Sequence, residues 1–188
     1  MIISQNKASV SWIPQAQIGQ RMAWIVLFAS LTGLSALVKI PLGFTPVPIT
    51  LQTAVAMAGG LILGRDGFWA QVLYLLLGCV GLPFFTPEHS NVQVLFGATG
   101  GYLIGFAFAS YGCARWIRPY AGQLSWFQRY VRLLGVSMLI FVPGVLGLAL
   151  FQDLSLSKAV MLGFVPFIAG DLIKTLLVSL ISHKSFVL

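Results

Sequence analysis

Charged side chains are scarce in this sequence. Of 188 residues, 58% are hydrophobic and 8% are charged, and there are four acids, two histidines and two cysteines. So few charges in so much apolar sequence exclude a soluble globular domain and indicate an integral membrane protein. The length fits a single membrane domain, residues 1–188, built from helices.

The shortage of cysteine and histidine excludes several kinds of site. Cys79 and Cys113 lie in different apolar segments that the predicted topology puts near opposite membrane faces, so neither a disulfide nor a metal pair is expected. His89 and His183 are divided in the same way. No G-x-x-x-x-G-K-[ST] nucleotide-binding loop occurs. Apart from Asp171 the acids lie in connections, and no Ser/His or Cys/His arrangement shares one side of the membrane with Asp171. We therefore expect no cofactor, no metal and no enzyme.

Apolar runs separated by charged or proline-rich connections predict an all-α bundle of six transmembrane helices. The core spans residues 22–183 and follows a cytoplasmic or interfacial segment, 1–21. Eight lysines and arginines fall on one side of this topology and two on the other, which places both termini in the cytoplasm. The two basic residues on the other side are Lys39 and Lys158. The net charge of +7 is then a topology signal. We predict a multi-pass protein of the plasma membrane that binds no nucleic acid.

The predicted helices differ in length. The second rises roughly 20 Å, less than the ~30 Å hydrocarbon thickness, so the loop before it must supply the remaining depth. Arg65-Asp66-Gly67 is predicted as a tight turn, and Pro143 and Pro166 predict a kink and a helix restart. The six helices are expected at Met22–Val38, Thr50–Leu63, Phe68–Gly81, Gly97–Ala114, Leu133–Gln152 and from about Pro166.

Small residues recur along the first helix. Ala29, Gly33 and Ala36 follow one another at three- and four-residue spacing, which permits close approach of another helix. The spacing alone fits internal packing and docking on a separate membrane subunit equally well.

The charge-free stretch from Ile40 to Gly64 begins with three prolines that forbid a continuous helix. Irregular backbone at membrane depth persists only where it is buried in protein or lines a cavity. Thr50, Gln52 and Thr53 are therefore candidate cavity residues. The alternative is that Thr50 caps the helix and Gln52 lies at the surface.

The last apolar segment contains one acid and one base, Asp171 and Lys174, three residues apart on one helix face. A charge at hydrocarbon depth costs about 2.5–3.5 kcal/mol, so it is retained where it faces a partner, a cavity or a ligand. The simpler alternative is that the two residues only neutralise each other. Broken segments of this kind are typical of transporter binding sites.

The fourth helix begins with glycines that end in Tyr102. Gly100 and Gly101 would let a ligand approach free backbone N–H groups, and the tyrosine ring and hydroxyl could both contact it. Gly101 and Gly105 also form a G-x-x-x-G pair that suits tight helix packing. The polar loop of residues 86–97 precedes this helix on the same predicted outer side.

Four stretches of this sequence resemble a known family. They are TPVPITLQT (45–53), LGCVGLP (77–83), GATGGYLIGF (97–106) and PFIAGDLIK (166–174). Together they resemble BioY, the biotin-binding substrate subunit, or S component, of energy-coupling factor (ECF) transporters. Their order matches the family over residues 22–183.

The resemblance implies capture of biotin from outside, association with a transmembrane coupling subunit and a pair of ATP-hydrolysing subunits, and toppling of the substrate subunit for release. It assigns the family's acid and base to Asp171 and Lys174, and it favours docking for the small residues of the first helix. Ala98 and Ala169 stand where many members have proline. Asn91 takes the place of an asparagine in a loop that is glycine-rich in many members.

Biotin could contact these residues in more than one orientation. Its ureido ring matches a carboxylate or amide such as Asp171 or Gln52, and its carboxylate matches Lys174 or the glycine turn. Its apolar ring would suit aromatic side chains such as Phe167. A different hypothesis is a self-sufficient proton-coupled carrier in which Asp171 takes up the proton.

Overall fold

The computed structural model describes residues 18–85 and 91–181, and these ranges are helical apart from one short hairpin and the connections. The expectations for residues 1–17, for Glu88, His89 and Ser90, and for His183 lie outside the described residues. The α-helices are α1 (Ile18–Leu34), α2 (Gln52–Leu63), α3 (Arg65–Cys79), α4 (Gly100–Gly112), α5 (Trp126–Phe151), α6 (Leu156–Gly163) and α7 (Ile168–Ser179). Strands β1 (Lys39–Ile40) and β2 (Ile49–Thr50) pair antiparallel.

Three helical stretches of the described chain are long and apolar enough to cross a membrane. They are Ile18–Leu37, Trp126–Phe151 and Leu156–Ser179. The predicted all-helical class is therefore confirmed, and the chain has the composition of a membrane protein. Helix α2 has 12 residues and is shorter than the hydrocarbon thickness, as predicted for the second helix.

Helices α4 and α5 pack closely because glycines face the contact. A Cβ built on Gly101 would collide with the carbonyl oxygen of Pro143, and one built on Gly105 would lie 2.7 Å from the Cα of Ile140. Only a residue without a side chain permits this backbone approach. The predicted packing role of the G-x-x-x-G pair is confirmed.

The turn between α2 and α3 lies one residue before the predicted one. Gly64 has a φ of +63°, a left-handed conformation that favours glycine, and α3 already begins at Arg65. The prediction of a tight turn at Arg65-Asp66-Gly67 is therefore wrong. Asp66 lies in the first turn of α3, where a carboxylate suits the positive end of the helix dipole.

One end of the bundle collects arginines, and we call it the basic end. Arg21 of α1 binds Asp66 of α3 through two hydrogen bonds, one of 2.7 Å from Nε to Oδ2. Arg118 follows α4 and lies against Gly64, and Arg129 of α5 donates a 2.6 Å hydrogen bond to the carbonyl of Ile181. Four parts of the chain therefore meet at the basic end: the first and the last described residues, the α2–α3 turn and the α4–α5 connection.

Arg118 is almost fully buried at the basic end, with 4% of its surface exposed. Burial lowers the pKa of its guanidinium to about 10, and nearby Asp66 acts in the opposite direction. Arg118 therefore remains a cation at neutral pH.

The loop expected before α2 contains the β1–β2 hairpin, which the sequence did not predict. The register pairs Lys39 with Thr50, so residues 41–48 form the connection. Within it, Val47 is buried, and the Thr45 hydroxyl donates a 2.9 Å hydrogen bond to the Leu162 carbonyl of α6. These two contacts hold the irregular segment against the bundle, but it is only partly buried, because half of residues 41–48 are exposed and Phe44 is 63% exposed.

The last apolar segment is interrupted. Helix α6 ends at Gly163, a single 3₁₀ turn covers Val165–Phe167, and α7 follows from Ile168. Pro166 lies in that turn, where its missing N–H costs nothing. The predicted restart near Pro166 is confirmed.

Besides α3, two helices begin earlier than predicted. Helix α5 begins at Trp126 because Ser125 and Gln128 form a capping box, each side chain bonding the other's backbone N–H. Helix α1 begins at Ile18 rather than Met22 and includes Arg21, whose charge is balanced by Asp66.

Candidate ligand-binding site

Asp171 is the buried acid of α7, with 4% of its surface exposed. Its Oδ2 accepts a 2.8 Å hydrogen bond from the hydroxyl of Ser137 on α5. Its Oδ1 is also buried and has no hydrogen-bond partner among the described residues. A buried carboxylate oxygen without a donor is costly, so this atom is the clearest unused acceptor in the segment.

Lys174 lies one turn further along α7 and is 7% exposed. Its Nζ donates a 3.1 Å hydrogen bond to the backbone carbonyl of Thr50 on β2. Within the described chain, Lys174 and Asp171 form no salt bridge, taking 4.0 Å as the limit. The two charges bond to different elements instead of neutralising each other directly, which leaves N–H groups on Lys174 available.

A hydrogen-bonded chain continues from Thr50 into the bundle. The Thr50 hydroxyl donates to Gln52 Oε1 at 3.2 Å, and Gln52 Nε2 donates to the Tyr74 hydroxyl at 2.7 Å and to the Phe84 carbonyl at 3.2 Å. Gln52 is buried, so the alternative in which it lies at the surface is wrong. Both N–H bonds of its amide are used within the protein, and only its oxygen keeps spare capacity.

The alternative in which Thr50 caps α2 is also wrong. Leu51 occupies the position before the helix, and no side chain makes a capping hydrogen bond there. The hydroxyl of Thr53, one residue into α2, is buried and has no hydrogen-bond partner among the described residues. Thr53 therefore retains the polar capacity expected of a cavity residue.

An aromatic group lies beside α7. Tyr102 and Phe167 are both nearly buried, with ring centroids 6.5 Å apart, and each also contacts the ring of Phe141 on α5. The Tyr102 hydroxyl donates a 2.8 Å hydrogen bond to the Gly163 carbonyl at the end of α6. Phe167 precedes Asp171 by four residues, so it shares a helix face with the acid.

Gly100 and Gly101 serve packing in this structure. A Cβ at Gly100 would collide with the Leu95 carbonyl, and one at Gly101 with the Pro143 carbonyl. Asn91 is exposed, and its side chain accepts a 2.9 Å hydrogen bond from Gln93 N, which caps the 3₁₀ helix Val92–Phe96. The three residues were predicted to contact a ligand, and in this structure each contacts another part of the protein.

The three small residues of the first helix face inward. Ala29 is fully buried and Ala36 is 1% exposed, while a Cβ at Gly33 would collide with the ring of Phe84. The interpretation of these residues as a surface for a partner subunit is therefore wrong for this conformation, and internal packing is correct. The exposed face of α1 carries large apolar side chains instead, namely Met22, Val26, Leu27, Leu31 and Leu34.

Sequence reasoning missed two polar partners. Ser137 bonds Asp171, and Tyr74 bonds Gln52. A signal for Ser137 was present, because it is the only hydroxyl residue between Leu133 and Phe151. Its partner could not be read from the sequence, since the two residues lie 34 positions apart.

The fold and this site define a class: a helical membrane protein that holds an acid and a base, each buried and incompletely bonded, beside aromatic rings. Residues 6–186 match the sequence model of the BioY family, and the chain belongs to that family.

Curated relatives carry the same family name. The chain is 35% identical to the biotin transporter BioY2 of Lactococcus lactis over 166 residues, covering 83% of this chain and 84% of that protein. It is 36% identical to the biotin transporter BioY of Thermotoga maritima over 159 residues, covering 84% and 90%.

A solved structure has a similar fold. The crystal structure of the S component for biotin from an ECF-type ABC transporter superimposes with a TM-score of 0.79 at 26% identity, covering 89% of this chain and 91% of that one. The likeness therefore extends over nearly the whole chain.

Proposed function

We propose that this protein captures biotin from outside the cell and delivers it as the substrate-binding subunit of an ATP-driven ECF transporter. The observation that carries the proposal is the buried Oδ1 of Asp171, an acceptor without a donor at a position that matches the family's acid. The membership in the BioY family and the names of its relatives supply the ligand. The protein on this view transports its substrate without changing it.

The proposed site contains Asp171 and Lys174 on α7, Thr50 and Gln52 before and within α2, and an aromatic wall. A ureido group presents two N–H donors, which match the free oxygen of Asp171, and a carboxylate matches the ammonium of Lys174. Tyr102 and Phe167 would contact the thioether ring. Gly100, Gly101 and Asn91 are proposed as nearby residues that fix the start of α4 and the loop before it.

The proposed topology has six spans, both termini in the cytoplasm and the plasma membrane as its location. Helices α6 and α7 count as one interrupted span. The basic end supports this orientation, because Arg21, Arg118 and Arg129 lie there together. Lys39 and Lys158 belong to the hairpin and α6, which the Thr45 hydrogen bond holds together away from that end.

The proposed partners are a transmembrane coupling subunit and ATPase subunits. Labelled biotin should bind the purified protein at micromolar concentration or below. If no binding is detected for protein that unfolds cooperatively, the ligand assignment is wrong.

A separate measurement addresses the coupling mechanism. Proteoliposomes that hold this chain alone should not accumulate biotin under a pH gradient, whereas addition of the coupling and ATPase subunits with ATP should restore uptake. Accumulation by the chain alone would favour the proton-coupled carrier.

A further inference from the structure

A cavity of about 470 Å³ lies at the basic end, between the end of α4 and the start of α5. Two arginines, two aromatic residues and an apolar wall line it, and none of these described lining residues is acidic. The lining residues are Arg115, Trp116, Ile117, Tyr120, Arg132, Gly135 and Val136. None of them belongs to the proposed biotin site.

Arg132 is held in this cavity with hydrogen-bond donors to spare. Arg132 donates one 3.2 Å hydrogen bond to the Trp116 carbonyl, and its guanidinium carbon lies 5.5 Å from the centre of the Tyr120 ring. A guanidinium has five N–H donors, so most of them remain available. Among the described residues, Asp66 is the acid at the basic end, and its carboxylate is already bound to Arg21. The cavity therefore presents unneutralised positive charge.

The local backbone is unusual at the same place. Residues Cys113–Ile117 form a π-helical turn that continues α4, and the carbonyl that binds Arg132 belongs to this turn. Such turns are rare and occur often at functional sites. Here the turn contains Arg115 and Trp116, which both line the cavity.

The position in the membrane identifies the kind of ligand. Trp116 and Tyr120 are 51% and 44% exposed, and Trp126 at the start of α5 is 53% exposed. Exposed tryptophan and tyrosine at helix ends mark the level of the lipid headgroups. A cavity there that is lined by two arginines and by the apolar side chains of Ile117 and Val136 is amphipathic. It is also much larger than one phosphate ion.

We propose that this cavity binds the headgroup of an anionic phospholipid, with Arg115 and Arg132 contacting the phosphate. Basic pockets between helices at a membrane surface suit such headgroups. The site is independent of biotin binding, because its residues are separate from those of α7 and β2.

Lipid retention by the purified protein tests this proposal. Native mass spectrometry would compare phosphatidylglycerol with phosphatidylcholine on the unchanged protein and on three variants. In Arg115→Gln/Arg132→Gln, phosphatidylglycerol affinity should fall about 25-fold, since each surface arginine contributes roughly fivefold. Arg65→Gln removes an exposed arginine outside the cavity lining and should have little effect. Gly135→Leu should weaken lipid retention, because the leucine side chain would fill the cavity. The substitution fits without a clash, since a Cβ at this position meets nothing within 4 Å.

Biotin binding by every variant is the folding control, and Gly135→Leu tests the site without changing any charge. Equal retention of both lipids, or equal phosphatidylglycerol retention by all variants, would overturn the proposal. Displacement of the lipid by inorganic phosphate at micromolar concentration would assign the cavity to free phosphate and overturn the lipid assignment. Loss of retention in the double variant and in Gly135→Leu, with Arg65→Gln unaffected, would support it.

Discussion

Two buried aspartates of this protein have opposite surroundings. Asp66 is 5% exposed, and both of its oxygens accept hydrogen bonds from Arg21. Asp171 is buried to the same extent, yet one oxygen accepts from Ser137 and the other has no partner among the described residues. Burial therefore does not distinguish the two acids. The two acids differ in how many carboxylate oxygens accept a hydrogen bond. Asp66 uses both oxygens to link two helices, whereas Asp171 keeps one oxygen that can accept a hydrogen bond from a ligand.

The largest expected effect is at Asp171. Asp171→Asn should weaken biotin binding by about 2–5 kcal/mol, because the neutral amide loses the charge and presents an N–H₂ group where an acceptor is needed. Titration calorimetry of the purified protein would measure the change. Its matched control is Asp66→Asn, which should leave the affinity unchanged. Equal affinities for Asp171→Asn and the unchanged protein would assign Asp171 to helix packing.

Lys174 should show a comparable loss. Lys174→Ala removes the cation that we assign to biotin's carboxylate, and binding should weaken by about 2–5 kcal/mol. The neutral ligand biotin methyl ester separates this contact from general damage to the site. It should bind the unchanged protein and Lys174→Ala with similar affinity. A further large loss for the ester in the variant would contradict the contact with the carboxylate.

Asp66 should affect stability and not affinity. Asp66→Asn leaves the Arg21 guanidinium without its carboxylate, and the free energy of unfolding should fall by about 1–3 kcal/mol. Thermal unfolding in detergent would measure this. In a double-mutant cycle, Arg21→Gln should cost much less when Asp66 is already asparagine. Additive effects would show that the two residues act separately.

Ser137 gives the smallest of the four effects and tests how Asp171 is held. Ser137→Ala removes a hydrogen bond to Oδ2, so biotin binding should weaken by about 0.5–1.5 kcal/mol. Ser110→Ala on α4 is the matched control, because Ser110 is equally buried and does not bond Asp171. If both variants bind equally, Ser137 does not position the acid.

Much of the fold followed from composition and from single residues with strong backbone preferences. Pro166 predicted the break between α6 and α7, and Gly101 and Gly105 predicted the close packing of α4. The start of α3 was missed because Gly64 could make the turn alone, which left Arg65 and Asp66 free to enter the helix. Spacing could not decide whether Gly33 faces outward, since small residues allow close contact with any neighbour.

The candidate site was predicted less completely than the fold. Asp171 and Lys174 stood out because a charge in an apolar run is rare, and both are buried. Their partners, Ser137 and the carbonyl of Thr50, were not predicted. Such contacts depend on how distant segments cross in space, which local sequence patterns do not encode.

The acceptor for Lys174 is a main-chain oxygen of Thr50. Its place is set by the course of the polypeptide through the hairpin, so the side chain at position 50 is free to change during evolution without removing this anchor. Replacing Thr50 with valine would delete the link to Gln52 and spare the lysine. The geometry of the lysine thus depends on the folded path itself, and an insertion or deletion between residues 41 and 48 would disturb it more than most single substitutions there.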